Sequence, residues 1–493
     1  MRSRVPEWYR DAKLGIIVHW GVPAVPAYAP TEHGDVVQIL REHDWQFLFR
    51  NQPRAEWYLN SLRIPESPAR RYHHRHFGRH TTYERLARRF MLELDQWDPR
   101  AWADLFSESG ARYVVMVGKH HDGVLMWPSE TPPVSDQLMV ERDAVGELAA
   151  AVREAGLKYG VSYSGLLDWT VQHTPITDYQ SYRLPQSPPE YPAYVEAHLR
   201  ELVDRYEPEI LWNNAGLPAG VSRRRLIAYY HERVPDGVAG GRWHQPGVLE
   251  QRRLASRGGA RRAARRARRA ILDGELAPDH ADVPVSESVA RTRLHPRPWE
   301  LVLPLGSSFA FNAATSEEHY LSATGLIHLL ADVVSKNGNL LLGVAPDLSG
   351  AIPDVQRRAL TGLAEWLVVH GEAIYGTRPW HAAEGVTAEE LPVRYTTTDG
   401  ALYAIVLGRP RMLSLSLQGL NLKKMPRPSV RSDADYRFAV RILGCERPVN
   451  WQTTDDGVSL DIPGSFVPGE AMVVKFAWEP VAQPSSGFYT DVI

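Results

Sequence analysis

Short apolar, β-branched segments alternate with helical patterns from residue 1 to about 375, and this alternation constrains the fold more than any other feature of the chain. Such alternation is typical of parallel βα units. Five segments are clear strand candidates and three are weaker, which together give the number of strands that closes a (β/α)8 barrel. The candidates are residues 14–20, 112–118, 158–164, 209–213 and 339–345, with the weaker ones at 237–243, 283–287 and 307–312.

Helical patterns occupy the intervals between these strand candidates. They are predicted at residues 99–108, 145–155, 194–206 and 321–336. From about residue 377 the pattern changes to alternation, as in residues 401–407 and 471–476, separated by turn-rich segments, which indicates antiparallel strands. We therefore predict a barrel over residues 1–375 and a C-terminal antiparallel β-sandwich over 376–493.

Length and composition exclude several classes of function. A chain of 493 residues is too long for one ordinary core, and its net charge of −2 provides no global field for nucleic acid. The single cysteine, Cys445, cannot form an intramolecular disulfide, and the first residues lack the apolar stretch of a secretion signal. No apolar run approaches the roughly 20 residues that span a bilayer. We expect a cytoplasmic protein that binds neither nucleic acid nor membrane.

An arginine-rich segment at about residues 244–280 interrupts the barrel pattern. Within it, residues 251–273 are rich in arginine and alanine and have almost no large apolar side chains. One interpretation is a patch for nucleic acid or an acidic partner, and the other is a solvated helix or loop. Because arginine greatly outnumbers lysine along the whole chain, we favour the second interpretation and expect an insertion outside the barrel wall, near its mouth.

Polar and aromatic side chains follow several of the predicted strands. His19 follows the first strand, His120 and His121 follow the second, Tyr163 lies in the third, and Trp212 and Asn214 end the fourth. In a barrel, residues at the carboxyl ends of strands meet at one mouth. Neutral donors, acceptors and aromatic faces in one pocket are suited to a sugar.

A metal site is the competing interpretation of these histidines. His120 and His121 are adjacent, so their side chains are expected to diverge on an extended segment, and no His-Glu-x-x-His or paired Cys/His motif is present. We therefore predict no metal and no cofactor. Taken singly, each histidine is more often a structural, hydrogen-bonded residue, and only their convergence at strand ends favours a binding role.

Seven segments of the chain closely resemble the α-L-fucosidases, glycoside hydrolase family 29. They fall in the order and approximate spacing of that family, at residues 8–21, 55–58, 119–123, 160–164, 211–214, 334–342 and 371–377. The resemblance implies a barrel with a C-terminal β-sandwich. It also implies hydrolysis of terminal α-L-fucose with retention, through a carboxylate nucleophile and a second carboxyl group as acid/base.

The resemblance also implies roles for individual residues. Glu287 matches the acid/base, because an Asp stands five residues before it and Trp299-Glu300 follows, and Glu250 is the second choice. The residues implied to line the sugar subsite are His19, Glu56, Trp57, His120, His121, Tyr163, Trp212, Arg242 and Phe309. The implied ligand is a fucosylated small molecule or oligosaccharide.

The nucleophile position departs from the family pattern. The family has an Asp after Leu-Trp-Asn, whereas this chain has Asn214. A neutral carboxamide cannot bond to the anomeric carbon as a carboxylate does, so double displacement through this residue should fail. Either Asn214 is an engineered Asp→Asn change, or the natural protein has another role, as a fucosidase-like carbohydrate-binding protein or a tailoring glycosidase for an unusual deoxysugar. Gly240-Gly241 and Ser288, which also depart from the family pattern, favour the second explanation.

Overall fold

The computed structural model describes residues 5–274, 281–427 and 436–480. It divides into two compact units, Met1–Leu367 and Val368–Ile493. The division falls a few residues before the domain boundary predicted at residue 375. No helix among the described residues combines the length and the apolar character that crossing a membrane requires.

The first unit is built on a parallel sheet of eight strands. In the described residues their order is β5-β4-β3-β2-β1-β8-β7-β6, so each strand lies beside its sequence neighbour and β1 pairs with β8. Between β5 and β6 the Asp282 amide donates to the Ala239 carbonyl over 3.0 Å, and the Ala239 amide donates to the Asp282 carboxylate over 2.8 Å. This arrangement confirms the predicted barrel. The strands are β1 Leu14–Val18, β2 Tyr113–Lys119, β3 Lys158–Ser164, β4 Ile210–Asn214, β5 Val238–Gly241, β6 Val285–Glu287, β7 Trp299–Pro304 and β8 Gly338–Val344.

One predicted strand was misplaced. Residues 307–312 form an irregular segment, and the seventh strand is instead β7 at Trp299–Pro304. The sequence pattern did not predict this strand, because the charged Glu300 interrupts its apolar residues. Its carboxylate is buried, where it accepts hydrogen bonds from the hydroxyls of Tyr9 and Tyr113 and from the indole of Trp212. A buried carboxylate with three donors can occupy a core strand.

Helices surround this sheet and agree with the predicted helical segments to within a few residues. The helix α7, for example, begins after Asp98, whose carboxylate accepts from the Arg100 amide, and it buries Trp102 and Phe106 on one face. The helices are α1 Glu7–Ala12, α2 Val36–Glu42, α3 Trp45–Arg50, α4 Tyr58–Arg63, α5 Pro68–His76, α6 Tyr83–Leu94, α7 Pro99–Glu108, α8 Ala144–Glu154, α9 Tyr179–Arg183, α10 Tyr191–Tyr206, α11 Arg223–Arg233, α12 Val248–Ala255, α13 Arg257–Leu272, α14 Ala323–Ser335 and α15 Asp354–His370.

Over its described residues, 368–427 and 436–480, the second unit forms an antiparallel sheet of eight strands in the order β13-β16-β11-β10-β9-β12-β15-β14. Alternate residues of β11, Leu402, Ala404 and Val406, face the same core as Val474 and Phe476 of β16. Successive side chains of a strand point to opposite faces, so alternate residues of β11 and β16 reach this core, and the predicted C-terminal β-sandwich is confirmed. The strands are β9 Arg378–Thr387, β10 Pro392–Thr398, β11 Ala401–Leu407, β12 Ser414–Gln418, β13 Tyr436–Ile442, β14 Trp451–Thr454, β15 Gly457–Asp461 and β16 Ala471–Pro480.

Candidate active site

A cavity of about 280 Å³ opens at the carboxyl ends of the barrel strands, and we call it the strand-end cavity. It brings together residues from β2, β4 and β6 and from the segments that follow β1, β2, β5 and β7. Ten of the residues singled out in the sequence line it, namely His19, Glu56, Trp57, His120, His121, Trp212, Asn214, Arg242, Glu287 and Phe309.

Three buried histidines lie side by side in this cavity. The ring centroids of His19 and His120 are 4.4 Å apart, and those of His120 and His121 are 3.8 Å apart. The expected divergence of His120 and His121 does not occur, because the chain leaves β2 and turns at His121. Burial lowers the pKa of all three imidazoles, and the neighbouring histidines lower the pKa of His120 further. The three rings are therefore neutral at pH 7 and can serve both as donors and as acceptors.

Glu56 is held in one orientation by the segment that follows β7. Its Oε2 accepts from the Ser308 hydroxyl over 2.8 Å and from the Ala310 amide over 3.1 Å. Next to it, the indole of Trp57 lies edge-on to the His121 ring at 5.3 Å between centroids. A fixed carboxylate acceptor beside an aromatic face is a common arrangement for sugar hydroxyls and ring carbons.

Two arginines hold Glu287. The Arg54 guanidinium forms an ion pair with one carboxylate oxygen of Glu287, and the Arg242 guanidinium forms an ion pair with the other. Burial alone would raise the pKa of Glu287, but the two positive charges and their hydrogen bonds outweigh it and lower the pKa to about 2. Glu287 is therefore ionised at neutral pH.

Arg54 lines the strand-end cavity but was not among the site residues predicted from the sequence. It directly precedes the Ala55-Glu56-Trp57 segment, but it meets Glu287 only through the tertiary fold. Its guanidinium also lies 5.3 Å from the centroid of the Phe309 ring, which lines the cavity. No local pattern in the sequence joins these residues.

Asn214 lies between a histidine and an arginine. Its Nδ2 is 3.4 Å from Nε2 of His120, and its Oδ1 is 3.4 Å from the Arg242 guanidinium, which donates to it. The first contact requires an unprotonated Nε2, in agreement with a neutral His120. The position predicted for the nucleophile thus holds an uncharged amide that accepts a hydrogen bond from Arg242, and Arg242 in turn pairs with Glu287.

Two predicted site residues lie elsewhere. Tyr163 does not line the cavity, and its hydroxyl lies 3.1 Å from Nδ1 of His198. Side chains alternate along a strand, so the preceding residue of β3, Ser162, faces the cavity instead. Glu250, the second choice for the acid/base, lies on α12, outside the cavity lining, and pairs with His244 over 3.0 Å.

Up to residue 274, the arginine-rich insertion forms two helices, α12 and α13, and residues 275–280 of the predicted insertion lie outside the described residues. Three residues of α13, Ala267, Ala270 and Ile271, line the strand-end cavity. The insertion therefore lies at the mouth, as expected from its place after the fifth strand. In residues 5–274, 281–427 and 436–480, no group of three or more His, Cys, Asp or Glu side chains has an arrangement that could hold a metal ion.

Comparison with known proteins gives one consistent result. A family model described as alpha-L-fucosidase matches residues 1–372. The alpha-L-fucosidase of Dictyostelium discoideum is 28% identical over 472 residues, covering 93% of this chain and 89% of its own. The solved structure of the Thermotoga maritima alpha-fucosidase in complex with fucose is 32% identical and has a TM-score of 0.78, covering 96% of this chain and 97% of its own. Together with the strand-end cavity, these matches confirm the resemblance seen in the sequence: the chain belongs to the α-L-fucosidase family of glycoside hydrolases.

Proposed function

We propose that this protein recognises a terminal α-L-fucosyl unit in the strand-end cavity, and that with Asn214 in place it does not hydrolyse that unit by a retaining double displacement. The observation that carries the proposal is the contact of the Asn214 amide with both His120 and Arg242. The cavity keeps its sugar-binding side chains, while the position from which a carboxylate would attack is uncharged.

The charges of the cavity support a neutral ligand. The positive charges of Arg54 and Arg242 face the carboxylates of Glu56 and Glu287, and the histidines are neutral. A neutral sugar can enter such a site without leaving an unpaired charge behind. The Thermotoga maritima relative was solved with fucose, which is a neutral deoxysugar.

Sugar hydroxyls have suitable partners in this cavity. A neutral imidazole has one donor and one acceptor nitrogen, so each of His19, His120 and His121 can bind a sugar hydroxyl through the nitrogen that the protein leaves open. In the described residues, Nδ1 of the buried His120 has no hydrogen-bond partner from the protein, so a ligand hydroxyl would satisfy it. The aromatic faces of Trp57 and Phe309 provide the apolar contact for the ring carbons and the methyl group of the sugar.

Glu287 is poorly suited to act as an acid in this state. A general acid must carry its proton near the working pH, whereas Glu287 has a pKa of about 2 between Arg54 and Arg242. It could protonate a leaving group only after these ion pairs had opened. The ionised Glu287 and the uncharged Asn214 therefore both disfavour hydrolysis by double displacement in this chain.

The proposal is tested by calorimetric titration of the intact protein with L-fucose, with D-fucose as the stereochemical control. We expect L-fucose to bind, and we expect the binding to be lost in His120→Ala. The matched control is His80→Ala, which removes an exposed histidine outside the cavity lining and should bind as the wild type does. An intact protein that shows no heat of binding with L-fucose would refute the sugar site.

Membership of the family does not specify the physiological ligand or the cellular location of this protein, and we propose both. We take the ligand to be a fucosylated small molecule or oligosaccharide, and the protein to act in the cytoplasm as a sugar-binding protein or a tailoring enzyme. Cell fractionation with an antibody to the protein tests the location, and recovery in a membrane or secreted fraction would contradict it.

A further inference from the structure

One side of the strand-end cavity is built from helices rather than from strand ends, and we call it the helical wall. It consists of the side chains of α2, α3, α9 and α13 that line the cavity, namely Val36, Val37, Trp45, Leu48, Phe49, Tyr179, Tyr182, Arg183, Ala267, Ala270 and Ile271. All of them except Arg183 are aliphatic or aromatic, and the Arg183 guanidinium pairs with the Glu250 carboxylate at 3.7 Å. The strand-end side, by contrast, holds the histidines, arginines and glutamates described above.

The aromatic residues of the helical wall continue from the sugar-binding residues without a break. Phe49 lies 5.5 Å from Trp57 between ring centroids, and Trp57 is the residue that contacts His121. From Phe49 the series continues to Tyr182 at 6.0 Å and to Trp45 at 6.0 Å. A ligand group attached to a sugar in the strand-end cavity would therefore meet a succession of aromatic rings.

The insertion completes this wall with small apolar side chains. Along α13 the residues Ala260, Ala267 and Ala270 are buried or half-buried, whereas the arginines between them are mostly exposed. The helix is fixed to its neighbours by the Trp45 indole, which donates to the Ala264 carbonyl over 3.0 Å. Because the indole N–H is already bound, the rest of the Trp45 ring offers only apolar surface to the cavity.

We propose that the group attached to the sugar is an apolar, flat aromatic aglycone, which packs against the helical wall while the sugar occupies the strand-end side. This inference rests on the proposed function, since it assumes that the sugar binds first. A second sugar placed here would lie mostly against aliphatic side chains and aromatic rings, where its hydroxyls would lose water without gaining a partner, and a buried hydroxyl without a partner is costly. An aromatic aglycone loses no hydrogen bonds and buries apolar area.

The experiment compares three ligands of the intact protein by calorimetric titration. They are methyl 1-thio-α-L-fucoside, 2-naphthyl 1-thio-α-L-fucoside and the disaccharide α-L-fucosyl-(1→2)-galactose. The thio linkage prevents slow hydrolysis of the first two, and chromatography after the titration shows whether the disaccharide is still intact. We expect the naphthyl ligand to bind at least roughly tenfold more tightly than the methyl ligand, because its rings bury apolar area. We expect the disaccharide to bind no more tightly than the methyl ligand.

A pair of variants on α13 locates the effect. In Ala270→Asn an amide enters the helical wall, and the naphthyl-to-methyl ratio of affinities should fall by about tenfold, because that amide would lose water without gaining a partner. In Ala263→Asn the same change falls at a half-buried position of α13 outside the cavity lining, and the ratio should stay that of the wild type.

The outcomes separate the two proposals. If the methyl ligand binds but the naphthyl ligand binds no more tightly, or if the disaccharide binds more tightly than both, the aromatic aglycone is refuted and sugar recognition stands. If none of the three ligands binds, sugar recognition itself is refuted and the aglycone inference falls with it. The ligand series uses the wild-type protein, so its result does not depend on whether a variant folds.

Discussion

Two carboxylates on neighbouring strands, Glu287 and Glu300, have opposite environments. Glu300 lies near the start of β7, where two tyrosine hydroxyls and the Trp212 indole donate to it, and burial raises its pKa. Glu287 ends β6, where Arg54 and Arg242 lower its pKa to about 2 despite burial. Inside the barrel a carboxylate is held by neutral dipoles, whereas at the mouth it is held by full charges.

This difference in environment suggests that the two carboxylates have different roles, Glu300 in the stability of the barrel and Glu287 in its chemistry. Neutral donors satisfy Glu300 without adding charge to the core, so this carboxylate joins α1, β2 and β4 to β7 through hydrogen bonds alone. At the mouth, the charged side chains of Arg54, Arg242 and Glu287 line the cavity, where a bound ligand could replace one of their ion-pair partners. A change of one carboxyl group at the mouth should therefore alter chemistry, while a change inside should alter mainly stability.

The largest expected effect is that of Asn214→Asp. This change returns a negative oxygen beside Arg242, which then has two carboxylates to bind, so the pKa of Glu287 should rise toward the range of a general acid. The variant should hydrolyse 4-nitrophenyl α-L-fucoside at least ~10³ times faster than the wild type, because loss of a nucleophile costs several powers of ten in rate.

The control for this prediction is Asn214→Gln, which keeps the amide and should stay inactive. In the Asp variant, Glu287→Ala should slow substrates with poor leaving groups far more than activated ones, because an activated group departs without a proton. If Asn214→Asp binds fucose but cleaves no α-fucoside, the mouth lacks more than a nucleophile, and the protein is a binding protein or acts on another sugar.

The second prediction compares the two carboxylates directly. Glu287→Gln removes the negative charge that pairs with Arg54 and Arg242 in a partly buried site. The free energy of unfolding at pH 7, measured by urea denaturation, should therefore fall by about 2–3 kcal/mol. The folded pKa of about 2 lies below the ordinary value of 4.5, so Glu287 stabilises the protein above pH 4.5 and this contribution is lost as the pH falls toward 2. The variant should therefore lose stability less steeply over that range.

Glu300→Gln is the matched comparison, and its pH dependence should have the opposite sign. The folded pKa of Glu300 is raised above 4.5, so its contribution is fully present below pH 4.5 and is lost as the pH rises through the folded pKa. Equal pH profiles for the two variants would show that the environments of the two carboxylates do not differ as described.

The third prediction concerns the buried histidines of the mouth. Their folded pKa values lie below the ordinary value of 6.5, so below pH 6.5 the unfolded chain binds protons that the folded protein does not. Stability should fall on acidification by up to about 1.4 kcal/mol per pH unit for each such group. His120→Gln should reduce this slope between pH 6.5 and 5, measured as the free energy of unfolding in urea. An unchanged slope would mean that His120 is protonated in the folded protein.

The sequence predicted the parts of this molecule whose pattern is local. Alternation of strands and helices predicted the barrel, and polar residues at strand ends predicted most of the cavity, because strand ends converge in any barrel. The sequence pattern did not predict β7, because it contains the charged Glu300. The burial of this residue depends on hydrogen-bond donors from α1, β2 and β4, which a local pattern does not show. Arg54 and Ser162 could not be identified, because the first acts through a distant partner and the second through the register of β3.

The smallest expected effect concerns the outer edge of the mouth, where the arginines of α13 contact either solvent or the end of a neighbouring helix. The Arg268 guanidinium donates to the carbonyls of Leu40 and Arg41, which belong to the last turn of α2. Such carbonyls lack partners within their own helix, so Arg268 stabilises both α2 and the position of α13. Arg262 lies on the same helix but is exposed.

Arg268→Gln should therefore lower the free energy of unfolding by about 1 kcal/mol, which corresponds to about 1–2 °C in Tm for a unit of this size. Arg262→Gln should stay within about 0.5 kcal/mol of the wild type, as surface changes usually do. Differential scanning calorimetry of both variants measures the contrast. Because α13 supplies part of the helical wall, Arg268→Gln should also weaken binding of the naphthyl ligand more than binding of the methyl ligand. Equal Tm values for the two variants would show that the arginines of the insertion are interchangeable, and that α13 is held at the mouth by its alanine face and Trp45 alone.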